Sequence, residues 1–213
     1  MNFTKKKVFV ASLAVCLLAI LSLGSLAWFN ATSSVTNRFM ISDSDSDGTP
    51  DFSVEVLEGG KNEGMEFTEI LPGDVLPKDP TIKNTGDYDQ WIRVYVTFDE
   101  WSKINAACAN QGISNDLRTW LNVNYGLATP AWTTVGDGVV SGDTVTYVYY
   151  YNYKLVKDQS AVLFTTVTIP GEFEQNDMKF ASGDFSITIK AEALQADNTG
   201  SNAYDAFATY WGK

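Results

Sequence analysis

The chain has no histidine among its 213 residues. This absence excludes Ser-His-Asp and Cys-His nucleophile systems, which need an imidazole as the general base. It also excludes zinc sites of the His-Glu-x-x-His type, because their ligands include two histidines. We therefore expect a protein that is not an enzyme.

Cysteine is nearly absent, with one residue in the apolar N-terminal segment, Cys16, and one in the body of the chain, Cys108. A single cysteine in the body excludes an intramolecular disulfide, so stability must come from packing. Cys108 lies among alanines in a segment with helical periodicity. We expect a small buried apolar side chain there, rather than a reactive thiol or an intermolecular bridge.

Basic residues are also scarce, since 15 Lys and Arg face 26 Asp and Glu and give a net charge of −11. Such an acidic surface repels phosphate backbones, which excludes non-specific binding of nucleic acid. It favours solubility and the attraction of cations.

The N-terminus has the three regions of a secretory signal peptide. Three lysines end at Lys7, an unbroken apolar run follows over residues 8–23, and small residues occupy Ser25 and Ala27. We expect cleavage between Ala27 and Trp28, and a secreted protein that meets the membrane only through residues 1–27 before cleavage. The alternative is a retained anchor, because the apolar stretch extended through Phe29 approaches the roughly 20 residues that span a bilayer.

Cleavage would leave 186 residues, enough for one domain with a substantial core. It would remove three basic residues and no acidic one, leaving 12 against 26 and a net charge of −14. We divide the chain into the signal peptide (1–27), an N-terminal strand (28–42), an Asp-rich loop (43–51) and the rest of a single domain (52–213).

Alternation of apolar and polar residues with a period of two recurs along that domain and predicts strands with one buried face. The predicted inward sets are Phe52, Val54 and Val56; Ile92, Val94, Val96 and Phe98; Val145, Tyr147, Tyr149, Tyr151, Tyr153 and Leu155; Leu163, Val167 and Ile169; and Phe185, Ile187, Ile189, Ala191 and Ala193. Strands of this kind favour two antiparallel sheets packed face to face. The predicted fold is therefore all-β, a jelly roll or β-sandwich.

Two segments have helical periodicity instead. Residues 99–123 predict a helical insertion between strands, with a cap at Asn115 before its second part. Tyr204, Phe207, Ala208 and Trp211 follow Ser201 at helical spacing and predict a short C-terminal helix that docks aromatic side chains onto a sheet.

The segment 43–51 has the spacing of a calcium loop, with Asp43, Asp45, Asp47 and Asp51 at positions 1, 3, 5 and 9. A glycine stands at position 6, and the carbonyl of Thr49 at position 7 completes the candidate ligands. Position 12 is not glutamate and the flanks are strand-like, so the loop resembles the Asp-rich turns of thrombospondin type 3 repeats. We predict a calcium site of low affinity. The alternative is a solvated acidic linker.

The run from Tyr147 to Tyr153 offers aromatic faces on which a sugar could stack. We favour the structural interpretation, in which these side chains pack within and across the sheet.

Three segments together resemble one family. The junction at residues 24–32 resembles exported proteins cut by the SipW-type signal peptidase. Residues 71–98, LPGDVLPKDPTIKNTGDYDQWIRVYVTF, are similar to the family's Pro-Gly-Asp turn, Asn-Thr-Gly turn and aromatic strand containing an arginine. Residues 187–198 and the aromatic helix after them resemble its closing strand and tail.

This combination is similar to the TasA/camelysin family of biofilm matrix proteins of Gram-positive bacteria. The resemblance implies a jelly-roll fold and assembly into extracellular fibres. Camelysins are also classed as metallopeptidases, but a zinc site here would need Asp, Glu and Cys108 alone, an unusual ligand set. The Asp-rich loop is not an obvious family feature.

The function that we predict is a secreted, non-enzymatic subunit of matrix or cell-surface fibres, whose main partner is another copy of itself. The alternatives are a calcium-dependent adhesin or carbohydrate-binding module and, less favoured, a metallopeptidase.

The predicted means of assembly is the N-terminal strand. Phe29, Ala31, Val35, Phe39 and Ile41 share one face of residues 28–41. The Asp-rich segment then forms a hinge, so the strand is able to pair with a sheet edge of a neighbouring subunit. Repeated head to tail, such a contact gives a filament. Alternatively, the same strand completes its own subunit.

Overall fold

The structure is a computed structural model that describes residues 52–60, 67, 69–181 and 185–210. In this part of the chain it is mainly β, as predicted, with antiparallel sheets and two short α-helices. The strands are β1 (Val54–Leu57), β2 (Val75–Pro77), β3 (Thr81–Asn84), β4 (Gln90–Phe98), β5 (Trp132–Thr134), β6 (Val139–Ser141), β7 (Thr144–Tyr151), β8 (Ser160–Val162), β9 (Thr166–Thr168) and β10 (Ile187–Gln195). The helices are α1 (Trp101–Gln111) and α2 (Ala203–Tyr210), with 3-10 helices at Leu117–Trp120 and Asp177–Phe180.

The described strands form a sandwich-like arrangement around one main core. The larger sheet has the order β10-β4-β7-β5, with β6 also paired to β7. The smaller sheet has the order β1-β3-β8, and β2 pairs with β9. Apolar side chains from these sheets meet in a common cluster that includes Val54, Ile82, Val94 and Val167, as two facing sheets require.

The predicted alternation is confirmed along most strands. Ile92, Val94, Val96 and Phe98 of β4 are fully buried, as the inward face of a central strand should be. β10 pairs with β4 over nine residues, and Ile189, Ala191 and Ala193 are buried on the same inner side.

Two strand predictions need correction. The long strand predicted to run through Leu155 ends at Tyr151, because the main chain and side chain of Asn152 bond to the carbonyls of Ala131 and Pro130. The chain bends there and leaves Tyr153 47% exposed, whereas Leu155 is buried again beside Gln90. Of the predicted strand carrying Leu163, Val167 and Ile169, only Val167 lies in a strand, the short β9; Leu163 follows β8 and Ile169 follows β9, although all three side chains are buried.

The helical insertion is confirmed as α1 followed by the first 3-10 helix. Ile104 and Cys108 bury one side of α1, and the tip of the β6–β7 hairpin covers its N-terminus, where Asp143 accepts hydrogen bonds from the main-chain N–H groups of Trp101 and Ser102. The predicted cap at Asn115 is wrong. Asp116 caps the 3-10 helix by accepting from the Arg118 N–H, since it lies one residue closer to that turn.

The C-terminal helix is also confirmed. Asn202 Oδ1 accepts a hydrogen bond from the Asp205 N–H, which satisfies one of the free donors at the start of α2. Phe207 is fully buried against the sheet, as the helical spacing predicts. Trp211 of the same predicted set lies outside the described residues.

A buried polar network ties the beginning of β1 to the beginning of β4. Asn84 makes four side-chain hydrogen bonds, to the carbonyls of Tyr88 and Leu155 and from Gly86 and Gln90. Gln90 also donates to the Ser53 carbonyl. Because these bonds satisfy the buried side-chain amide of Asn84, the network fixes where the chain enters the sandwich.

None of the described helices has both the length and the apolar character that crossing a bilayer requires.

Candidate functional site

The residues predicted for metal binding, assembly and processing lie outside the described part of the chain. They are the metal ligands Asp43, Asp45, Asp47, Thr49 and Asp51; the assembly residues Phe29, Ala31, Val35, Phe39 and Ile41; and the cleavage pair Ala27 and Trp28. Those assignments stay predictions. The structure instead describes the edges of the sheets.

In the ranges that the structure describes, no group of three or more Asp, Glu, Cys or His side chains is placed to hold a metal ion. Cys108 is buried at 0% exposure, and burial raises the pKa of its thiol. This confirms its expected place as a small core residue.

The tyrosine run is mostly packed within the protein. Tyr147, Tyr149 and Tyr151 point into the main core, and Tyr150 packs on the opposite face against Tyr204 and Phe207 of α2. These four rings are at most 9% exposed, so they do not present stacking faces to a sugar. The structural interpretation of the run is confirmed.

The candidate functional site is the outer edge of β10, at one side of the larger sheet. β10 pairs with β4 on one side and has no strand partner on its other side among the described residues. At nine residues it is longer than β1, β8, β5 or β6, which end the two sheets elsewhere. A long unpaired edge is a template for a further strand.

The direction of the free main-chain groups follows from the pairing. The Ala196 N–H donates to the Asp89 carbonyl and the Asp99 N–H to the Ser186 carbonyl, at either end of the ladder. Hydrogen-bonded and non-bonded pairs alternate in an antiparallel ladder, so the even-numbered residues of β10 bond to β4. The N–H and C=O groups of the odd-numbered residues therefore point outward: Ile187, Ile189, Ala191, Ala193 and Gln195.

The same odd-numbered positions carry the inward side chains of β10. Ile189, Ala191 and Ala193 are 2–3% exposed and line the core side of the edge. A strand added to this edge would place its inward side chains beside them, and two of the three are alanines. β1 packs against β10 from the smaller sheet, so both walls of this side of the sandwich are formed by strands.

The outer face of β10 carries a buried ion pair. Arg93 of β4 lies opposite Glu192 of β10, and its Nε and Nη2 donate to Glu192 Oε2 at 3.1 and 2.7 Å. Tyr95 Oη donates to the same oxygen at 3.0 Å, and Lys190 Nζ donates to Oε1 at 2.8 Å. The Arg93 guanidinium stacks 4.4 Å from the centroid of the Phe207 ring.

Burial raises the pKa values of Glu192 and Tyr95, and the charge of Arg93 opposes this effect. Burial raises the pKa of Glu192, but the hydrogen bonds from Lys190 and Arg93 outweigh it and leave that pKa below its ordinary value. Burial raises the pKa of Tyr95 to about 12 against the opposing charge of Arg93. At neutral pH, therefore, the carboxylate is charged and the phenol is a neutral donor.

Sequence patterns missed this cluster, because alternation assigns Arg93 and Glu192 to a solvated outer face. They are only 8% and 7% exposed: Phe207 of α2 lies over the Arg93 guanidinium, and Glu192 bonds to Arg93. The one signal in the sequence was the aromatic spacing of the C-terminal helix, which predicts docking on a sheet but not the place.

No protein-family model matches this chain, and no curated protein sequence matches it. The resemblance to the TasA/camelysin family therefore rests on the three sequence segments described above.

Proposed function

We propose that the chain is a secreted, non-enzymatic structural subunit that polymerises head to tail into extracellular matrix or cell-surface fibres. In this proposal the N-terminal strand, residues 28–41, pairs with the outer edge of β10 of the next subunit. The observation that carries it is the nine-residue edge, whose outward main-chain groups have no strand partner in the described residues. The TasA/camelysin resemblance supports the same mode of assembly.

The donor and acceptor surfaces are compatible in their alternation. The apolar face of the N-terminal strand holds its odd-numbered residues, among them Val35 and Phe39, and the strand is long enough to follow β10 along its whole length. Its apolar side chains would lie beside Ile189, Ala191 and Ala193 at the rim of the core. Main-chain bonds would supply the pairing, and these side chains would set its register.

The chain path allows donation to a neighbour. Ser53, immediately before β1, bonds to Gln90, and Gln90 pairs with Gln195 at the C-terminal end of β10. The N-terminal segment therefore joins the domain at this end of the acceptor edge. From there the Asp-rich segment, as a hinge, would let the N-terminal strand that precedes it extend toward a second subunit.

Electron microscopy of the purified mature protein tests the proposal. We expect wild-type fibres, and no fibres either from protein lacking residues 28–41 or from a Val35→Asp, Phe39→Asp double variant. Circular dichroism establishes that each variant is folded. A folded variant that still forms wild-type fibres contradicts strand donation, and wild-type protein that stays monomeric under all assembly conditions contradicts the proposed function.

A further inference from the structure

The C-terminal helix is attached to the acceptor strand through side chains on the outer face of the sheet. We define the clamp as Arg93, Glu192 and Phe207. Arg93 projects from β4, holds Glu192 of β10 by two hydrogen bonds and lies under the Phe207 ring of α2. A single guanidinium thus links three elements.

Phe207 of the clamp belongs to a packing cluster separate from the main core. Trp91, Tyr150, Ala196, Ala203, Ala206 and Phe207 form this second cluster on the outer face. The inner side of β10 packs in the main core instead. Since the two clusters are distinct, loosening α2 removes support from the outer face of β10 without opening the inner core.

An edge strand depends on such support more than a central strand does. In the described residues β10 has one hydrogen-bonded neighbour, so half of its main-chain groups contribute nothing to holding it in place. The carboxylate of Glu192 receives three hydrogen bonds from two side chains of β4, Arg93 and Tyr95, and these fix the middle of β10 against β4.

We propose that α2, acting through the clamp, is a conformational device that keeps β10 in the geometry that accepts a strand. This inference rests on the proposed function, because it assigns to α2 the preorganisation of the acceptor edge. A preorganised edge loses less conformational freedom when the incoming strand binds. When α2 detaches from the sheet, β10 binds an incoming strand less readily, while the subunit stays folded.

The test compares two variants of the mature protein that each delete one buried phenyl ring. Phe207→Ala removes the ring over Arg93. Phe173→Ala removes a ring that packs with Trp120 and Phe180 beside the helical insertion, and it serves as the control for general loss of stability. Both are studied at a temperature where circular dichroism shows them folded. If Phe207→Ala does not fold, Arg93→Lys replaces it, because lysine keeps the charge but loses the planar stacking and the two-pronged bond.

Two readouts are used. Hydrogen exchange of the unassembled protein follows the amides that bond β10 to β4, namely those of Thr188, Lys190, Glu192 and Leu194. We expect exchange about tenfold faster in Phe207→Ala than in Phe173→Ala. Elongation of wild-type fibre seeds should be slower for Phe207→Ala by about the same factor.

If the amides of β10 exchange equally fast in Phe207→Ala and Phe173→Ala, the proposal is wrong. It is also wrong if these amides exchange faster in Phe207→Ala but both variants elongate fibre seeds at the same rate. The exchange readout needs no fibres. If wild-type protein forms none, the proposed function fails, whereas the hold of α2 on β10 is still tested by exchange alone.

Discussion

At the scale of single residues, the Arg93–Glu192 pair is a contact that acid weakens. The folded-state pKa of Glu192 lies below its ordinary value of 4.5, so its charge stabilises the fold above that pH, and the contribution is lost as pH falls through the folded-state pKa. Replacing Glu192 with Gln removes the charge and leaves Arg93 buried with a weaker partner, at a cost on the order of 3 kcal/mol at pH 7.

We expect the difference in unfolding free energy between wild type and Glu192→Gln to be largest at neutral pH and to shrink below pH 4.5. Urea denaturation at a series of pH values measures it. A difference that stays constant down to pH 3 would show that the carboxylate charge does not contribute.

Gly138 is a second residue with a definite structural requirement. A Cβ at this position would lie 2.7 Å from side-chain atoms of both Tyr147 and Val145, which are themselves buried in the core. We expect Gly138→Ala to destabilise the fold by about 1–3 kcal/mol through overpacking.

The control is Gly142→Ala in the adjacent turn. Gly142 has φ +59° and open space around it, so alanine there introduces only backbone strain of about 1 kcal/mol. Denaturant midpoints measure both variants. A loss at Gly138 no larger than the loss at Gly142 would contradict the close packing against Tyr147.

At the scale of elements, the alternation of residues predicted the inward faces of β1, β4, β7 and β10 but not the short strands β2, β3, β5 and β6. It worked best for β4 and β10, because long strands with one buried face obey a strict period of two. It failed at Tyr153, where hydrogen bonds from Asn152 to residues more than 20 positions earlier in the chain end the strand. It also failed for Arg93 and Glu192, since Arg93 lies under Phe207 from far later in the chain and Glu192 bonds to Arg93 across the sheet. Contacts of this kind are not encoded in any local pattern.

A further prediction at this scale is that the Asp-rich loop binds calcium. Four carboxylates within nine residues repel one another, and a calcium ion would relieve the repulsion. For a Kd on the order of 1 mM, as in extracellular modules, 10 mM calcium would stabilise the folded state by about 1.4 kcal/mol. We expect a corresponding rise in Tm by calorimetry, and none in Asp45→Ala. A Tm that does not respond to calcium in wild type would identify the loop as a solvated linker.

At the scale of the whole molecule, the net negative charge would oppose the proposed assembly. Subunits that carry a net charge of −14 after the predicted cleavage would repel one another, and salt would screen that repulsion over a Debye length of about 10 Å at 0.1 M. We expect fibre growth, followed by light scattering, to accelerate by about tenfold between 10 and 150 mM sodium chloride. Growth that slows with added salt would mean that attraction between opposite charges, rather than strand pairing, drives assembly.

The most direct test of strand donation is disulfide cross-linking between two singly substituted variants. Thr188 lies on the exposed outer face of β10 and marks the proposed acceptor edge, whereas Ser141, also exposed, lies on β6 and marks the opposite side of the same sheet. Protein with cysteine in place of Thr188 or Ser141 is mixed with protein that has cysteine in place of Thr32, Ser34 or Thr36, on the polar face of the N-terminal strand. Buried Cys108 is present in every sample and does not differ between them.

After assembly and mild oxidation, the covalent dimers are measured by non-reducing electrophoresis and mass spectrometry. Strand donation to β10 predicts that Thr188→Cys forms a dimer with at least one of the three N-terminal positions and that Ser141→Cys forms none. Dimers with Ser141→Cys, or fibres in which Thr188→Cys links to none of the three, would contradict the account.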